Sequence, residues 1–187
     1  PTVTTVTSST ANGTYTVASP ISIQVRFTEA VTVSGTPQLT LETGSSDAII
    51  DYSSGSGSDT LTFTYTVASG QNSSDLDYVS TSALALNSGT IRDAASNDAT
   101  LTLPAPGDTD SLAFNKAIVV DTDSATVLNV TSSSVDGTYG INGTVYIQIQ
   151  FSEAVTVSGT PQLTLETGSS DAVVDYSSGS GSDTLTF

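Results

Sequence analysis

Residues 29–63 read EAVTVSGTPQLTLETGSSDAIIDYSSGSGSDTLTF, and residues 153–187 read the same apart from Ile49→Val and Ile50→Val. The offset is 124 residues and runs without a gap back to Val6, which matches Val130. Self-similarity at a domain-sized period marks an array of modules. Within the repeated stretch, apolar residues alternate with polar ones: Leu39 and Leu41 against Gln38, Thr40 and Glu42, then Leu61 and Phe63 against Thr60 and Thr62. Period two places one face in a core and the other in water, so the stretch is read as strands.

The same alternation continues outside the repeat. Ile21, Ile23, Val25 and Phe27 face one way while Ser22, Gln24, Arg26 and Thr28 face the other. No window carries a helical stripe, and the chain is expected to be all-β. Strands are expected at about 2–8, 20–28 (continuing through a bulge at Glu29-Ala30 to Val31 and Val33), 38–42, 48–52, 59–67, 83–86 and 113–120, with a short extra strand at 100–103. Turn chemistry lies between them at Asn12-Gly13 and Ser53–Ser58. Seven short antiparallel strands in this span predict an immunoglobulin-like Greek-key β-sandwich, without the Cys-Trp-Cys signature of antibody domains.

The period sets the organisation. Residues 1–120 are read as one complete repeat, 121–124 as a short acidic linker, and 125–187 as the first half of a second repeat, truncated or completed by another chain. A linker so short predicts modules stacked end to end. Half a module leaves an open sheet edge, so self-association through it is a further expectation.

Composition excludes several functions. Nineteen acidic residues face three basic ones (Arg26, Arg92 and Lys116), a net charge of −16. Nucleic acid and anionic membrane surfaces need Lys and Arg, so neither is an expected partner, and no apolar run is long enough to insert in a bilayer. With no His or Cys, nucleophilic or acid–base chemistry would fall to paired carboxylates or a Lys-activated Ser. No Trp is present to stack a sugar, and most Tyr and Phe fall on core-facing positions, so the chain is read as no enzyme.

What remains are the carboxylates. Antiparallel strands send alternate loops to opposite poles, which puts the 68–82 loop, with Asp75 and Asp77, beside the exit of the last strand at Asp121 and Asp123. Glu153 of the next module is expected at the same junction, whereas Asp136 points away. Converging like charges repel, and a divalent cation relieves them. Calcium accepts about six to eight oxygens in flexible geometry, so calcium at Asp75, Asp77, Asp121, Asp123 and Glu153 is the expected site. A weaker second site is expected at the opposite pole of the first module, from Glu29, Asp93, Asn97 and Asp98.

Five runs resemble the bacterial immunoglobulin-like, cadherin-like tandem repeats of large surface and secreted adhesins. They are Phe27-Thr-Glu-Ala-Val-Thr-Val-Ser-Gly-Thr-Pro-Gln-Leu-Thr-Leu, Gly57-Ser-Asp-Thr-Leu-Thr-Phe-Thr-Tyr-Thr-Val, Ser74-Asp-Leu-Asp-Tyr, Ile91-Arg-Asp-Ala-Ala-Ser-Asn-Asp-Ala and Lys116-Ala-Ile-Val-Val-Asp-Thr. The resemblance implies an extracellular, cell-surface or secreted extender module, often stiffened by calcium between domains, that projects binding domains located elsewhere. Its neighbours in the array would be its partners. Two other readings stand beside it: a filament subunit completed by strand addition, and a carbohydrate- or protein-binding module.

Three motifs are set aside. Ser54-Gly-Ser-Gly-Ser-Asp-Thr-Leu-Thr partly mimics a calcium β-roll nonapeptide but does not recur at nine residues, and is read as a hairpin turn. The Asn-x-Ser/Thr triplets at Asn12, Asn72, Asn129 and Asn142 are read as turns. Lys116 lies in phase with Phe114, Ile118 and Val120, which would suit an inward cross-linking lysine, but it is read as an edge lysine reaching water.

Overall fold

Burial follows the alternation residue by residue. In β3, Pro20–Ser34, the side chains of Ile21, Ile23, Val25, Phe27 and Val31 are buried while their neighbours reach the surface. The computed structural model describes all 187 residues, and the chain divides into two units, Pro1–Asp123 and Ser124–Phe187. The chain is nearly all β, in curled antiparallel sheets.

Unit 1 is built on one large sheet. Its strands are β1 (Val3–Ser8), β3, β4 (Gln38–Glu42), β5 (Ala48–Ser54), β6 (Ser58–Thr66) and β7 (Asp77–Tyr78), hydrogen-bonded in the order β1-β3-β6-β5-β4-β7. Two short strands join off that path: β8 (Leu84–Ala85) pairs with β4, and β9 (Thr90–Arg92) pairs with β3. β3 serves two partners because its register slips. Before the slip Arg26 faces Thr60 of β6, and beyond it Val31 faces Ser58. Past Val31, residues Thr32–Ser34 pair with β9. The extra residues on β3 include Glu29 and Ala30, both exposed, where a bulge was expected. The apolar faces of β3, β4, β5 and β6 form one core with Leu76, Tyr78, Leu84, Ile91, Leu103, Leu112, Ile118 and Val120. Each large side chain so buried contributes about 1.5–3 kcal/mol.

The last part of unit 1 departs from expectation. Residues 113–120 do not form one strand. Ser111 caps a one-turn helix, α1 (Leu112–Asn115), its Oγ accepting from the Phe114 N–H at 3.2 Å. Only Ile118–Val120 remains a strand, β10, and it pairs in parallel with β2 (Gly13–Tyr15). A serine hydroxyl that satisfies a free amide favours the turn over continued strand. The phase that aligned Lys116 with Phe114 and Ile118 is therefore broken, and Phe114 is exposed. The expected strand at 83–86 shrinks to Leu84–Ala85, and 100–103 contributes only a single bridge, Thr2 to Thr100. β2, β7 and β9 are strands of two or three residues, too short to show a period.

Unit 2 comprises β11 (Val127–Ser132), β12 (Ile147–Val155), β13 (Gln162–Leu165), β14 (Ala172–Asp175) and β15 (Ser182–Thr186). They form a three-stranded sheet, β11-β12-β15, and a separate β13-β14 pair. The registers copy those of unit 1: Val130 faces Ile149 as Val6 faces Val25, and Leu163 faces Val174 as Leu39 faces Ile50.

Tyr65 is buried under the sheet of unit 1, its hydroxyl 2.8 Å from Gln71 Oε1. Burial disfavours the phenolate and pushes its pKa up to about 12 from an ordinary value of 10.0. A raised folded value means that the stabilisation is complete below pH 10 and is lost as pH rises through about 12. Tyr65→Phe should therefore flatten the decline in stability over that range. Denaturant midpoints at pH 9, 10, 11 and 12 test it, and equal declines in the two proteins would contradict it.

Candidate functional site

The exit of unit 1 is held by an asparagine. The Asn72 side chain accepts from the Thr122 backbone N–H at 2.7 Å and donates through Nδ2 to Asp123 Oδ1 at 3.0 Å. Thr122 Oγ1 in turn accepts from the Gly70 N–H at 3.0 Å. Backbone bonds extend the contact: Ser73 and Val120 exchange both N–H groups, and the Leu76 N–H donates to the Ile118 carbonyl. The 68–82 loop and the end of β10 thus lie together, and Asp121 and Asp123 leave from beside it.

The four acids of unit 1 in this region differ in what they hold. Asp121 Oδ1 accepts from the Asp123 N–H at 3.1 Å, and Asp123 Oδ1 binds Asn72, so each is engaged through one oxygen. Asp75 is exposed and makes no side-chain hydrogen bond. Loss of surrounding water, then the charge of Asp77, raises its carboxyl pKa. By linkage this group favours the fold below the ordinary carboxylate pKa, and that contribution is lost as pH rises through the raised value.

Asp77 is different. It is buried, with Oδ1 accepting from its neighbour Tyr78 N–H at 2.9 Å and Oδ2 from the Gly107 N–H at 2.9 Å. Both oxygens are therefore committed to backbone, tying β7 to the 104–111 loop. Tyr78 reinforces the tie, its hydroxyl donating to the Pro104 carbonyl at 2.6 Å. Burial, then the Asp77 charge, raises the Tyr78 pKa. Glu153 lies in β12 of unit 2 and is partly buried.

At the other expected site, Glu29 Oε1 lies 3.3 Å from the Pro1 nitrogen. Asp93 and Asn97 form a closed turn: Asp93 Oδ1 accepts from the Asn97 N–H at 2.8 Å and Oδ2 from Asn97 Nδ2 at 2.7 Å. These bonds hold the Asp93 carboxyl below its ordinary pKa. Asp98 is paired with Arg92 at 2.6 Å, a partner that sequence reasoning had not given it. Nowhere do three carboxylates gather into a set ready to enclose a metal ion. Asp75, Asp121 and Asp123 each keep at least one carboxylate oxygen free of protein hydrogen bonds.

The sequence marks Asn72 only as one of four Asn-x-Ser/Thr turn residues and gives it no part in the exit of unit 1. Its partners lie about fifty positions away, so no local pattern announces it. No family model, curated protein or solved structure matches the chain.

Proposed function

We propose that the chain is a structural extender: immunoglobulin-like Greek-key modules from an extracellular array, without catalytic activity, whose work is to carry load and hold distal domains away from a surface. The observation that carries this reading is the way unit 1 ties down its exit. β10 pairs in parallel with β2, from Ile118 opposite Gly13 to Val120 opposite Tyr15. Flanking bonds run from the Gly13 N–H to the Ala117 carbonyl and from the Asp121 N–H to the Tyr15 carbonyl. Tension between the start of β2 and the end of β10 loads such bonds in shear, together rather than one at a time. The Asn72 contacts fix the next residues, Thr122 and Asp123, so load reaches the sheet through an ordered exit.

Calcium belongs to the same proposal. Asp75, Asp121 and Asp123 would supply oxygens from unit 1, with Asp77 holding the loop that presents Asp75. Glu153 of unit 2 is the sequence-based candidate for a further ligand. Calcium would neutralise the repulsion among these acids and stiffen the exit. The expected result is that about millimolar calcium raises the melting temperature and makes the chain less flexible by solution scattering, and that a chelator reverses both. The E153Q protein should respond less. Scattering curves that superimpose with and without chelator would remove calcium from the proposal while leaving the extender reading in place.

A further inference from the structure

The two units carry the same apolar residues at positions 124 apart, yet only one of them covers those residues. Val6 is fully buried and its counterpart Val130 is 57% exposed; Ile21 is fully buried and Val145 is 41% exposed. Unit 1 exposes four large apolar side chains, and unit 2, about half its length, exposes nine. In unit 1 the cover is residues 64–123, whose Leu76, Tyr78, Leu84, Ile91, Ile118 and Val120 complete the core. We infer that the open face of unit 2 is a docking site for a further copy of that segment, a polypeptide with the pattern of residues 64–123.

The register of the docking can be copied from unit 1. There Tyr78 and Asp77 pair with Leu41 and Glu42, and Leu84 and Ala85 with Leu39 and Gln38. The corresponding edge in unit 2 is Gln162–Glu166, whose β13 pairs only with β14. Ile91 of β9 pairs with Val33, and its counterpart Val157 lies past the end of β12 with no partner strand. Ile118–Val120 pairs with Gly13–Tyr15, and the counterpart Gly137–Tyr139 forms no strand at all. In unit 1, then, three separate edges are paired by the 64–123 segment. Their counterparts in unit 2 have lost that pairing, and two of them have lost strand structure as well. Tyr139 is 42% exposed there, whereas Tyr15 packs on the core of unit 1. Such coincident loss identifies the occupant by its hydrogen-bonding edges as well as by its apolar side chains.

Charge neither drives nor forbids the docking. Unit 2 has six acidic residues and no basic one, and residues 64–123 carry eight acidic and two basic residues. The contact is apolar with mutual repulsion, so salt near 0.15 M, with a screening length of about 8 Å, favours it.

The test mixes the whole 187-residue chain with a separate polypeptide of residues 64–123, followed by hydrogen exchange and sedimentation. The expected result is a one-to-one complex in which amides at Gly137–Tyr139, Thr156–Ser158 and Gln162–Glu166 slow at least tenfold. Exchange across β3 and β6 of unit 1 stays unchanged. The same polypeptide carrying Leu76→Asp and Ile118→Asp should give no slowing. Unaltered exchange at all three edges with the natural segment would overturn the inference. So would a chain that dimerises through its unit 2 face and excludes the segment, since the occupant would then be a second copy.

Discussion

Gly55→Ala is expected to destabilise unit 1 by about 3 kcal/mol or more, while Gly57→Ala two residues away costs about 1 kcal/mol. Both glycines have positive φ, +110° and +89°. A Cβ on Gly57 meets nothing, whereas one on Gly55 would overlap the Thr60 carbonyl oxygen and lie 3.0 Å from Leu61 Cα. Those are backbone atoms of β6, which cannot move without disturbing the buried Leu61. The turn is also a fixture for β3. Gly57 N–H donates to the Val31 carbonyl at 2.8 Å, and Ser56 Oγ accepts from the Val33 N–H at 2.9 Å. The Tyr52 hydroxyl accepts from the Ser56 N–H at 2.8 Å. The Ser/Gly run is thus a tight turn that secures the slipped half of β3. Denaturation followed on the methyl signals of Val25 and Leu61 isolates unit 1. A Gly55→Ala shift no larger than that of Gly57→Ala would show that the turn can relax.

The contrast between strands and sites explains what the sequence made legible. Strand β4 was placed to the residue, Gln38–Glu42, because Pro37 precedes it and Leu39 and Leu41 alternate with polar neighbours. The slip in β3 was legible too, since Glu29 and Ala30 interrupt an apolar alternation that resumes at Val31 and Val33. Elements held by distant partners were not. β7 owes its conformation to pairing with Leu41 and Glu42 and to the Asp77 contact with Gly107, thirty residues on. α1 depends on one hydroxyl, that of Ser111. At the candidate site, the sequence located Asp121 and Asp123 beside the 68–82 loop because strand parity alone determines poles. It could not distinguish Asp75 from Asp77. In strand alternation, Asp77 sits opposite Leu76 and looks as solvent-directed as Asp75; two backbone amides, one from a remote loop, draw it inside. The partnership of Asp98 with Arg92 was hidden for a related reason, since it depends on the single bridge that brings those two residues face to face.

Asp77→Ala is expected to destabilise unit 1 by about 2–4 kcal/mol with calcium absent. Removing the carboxylate leaves the Tyr78 and Gly107 amides without acceptors and breaks two charge-assisted bonds. Each such bond is worth about 1.5–3 kcal/mol, and the two losses overlap because both amides can relax toward water. Asp77→Asn separates the roles. Its amide oxygen can replace one acceptor while its nitrogen cannot replace the other, so the loss should be roughly half that of alanine. If Asp77 acts on cation binding only through the loop that presents Asp75, the asparagine protein should keep most of its stabilisation by calcium. Asp75→Asn should show the opposite profile. Removing a carboxylate whose ionisation is opposed by desolvation and by Asp77 leaves the calcium-free fold no less stable at neutral pH, while the response to calcium falls. Thermal unfolding of the four proteins, each with chelator and with calcium, resolves the pattern. An Asp77→Ala protein as stable as the natural chain in chelator would mean that its two backbone contacts contribute nothing. An Asp75→Asn protein that loses stability in chelator would assign Asp75, too, to the fold rather than to the cation.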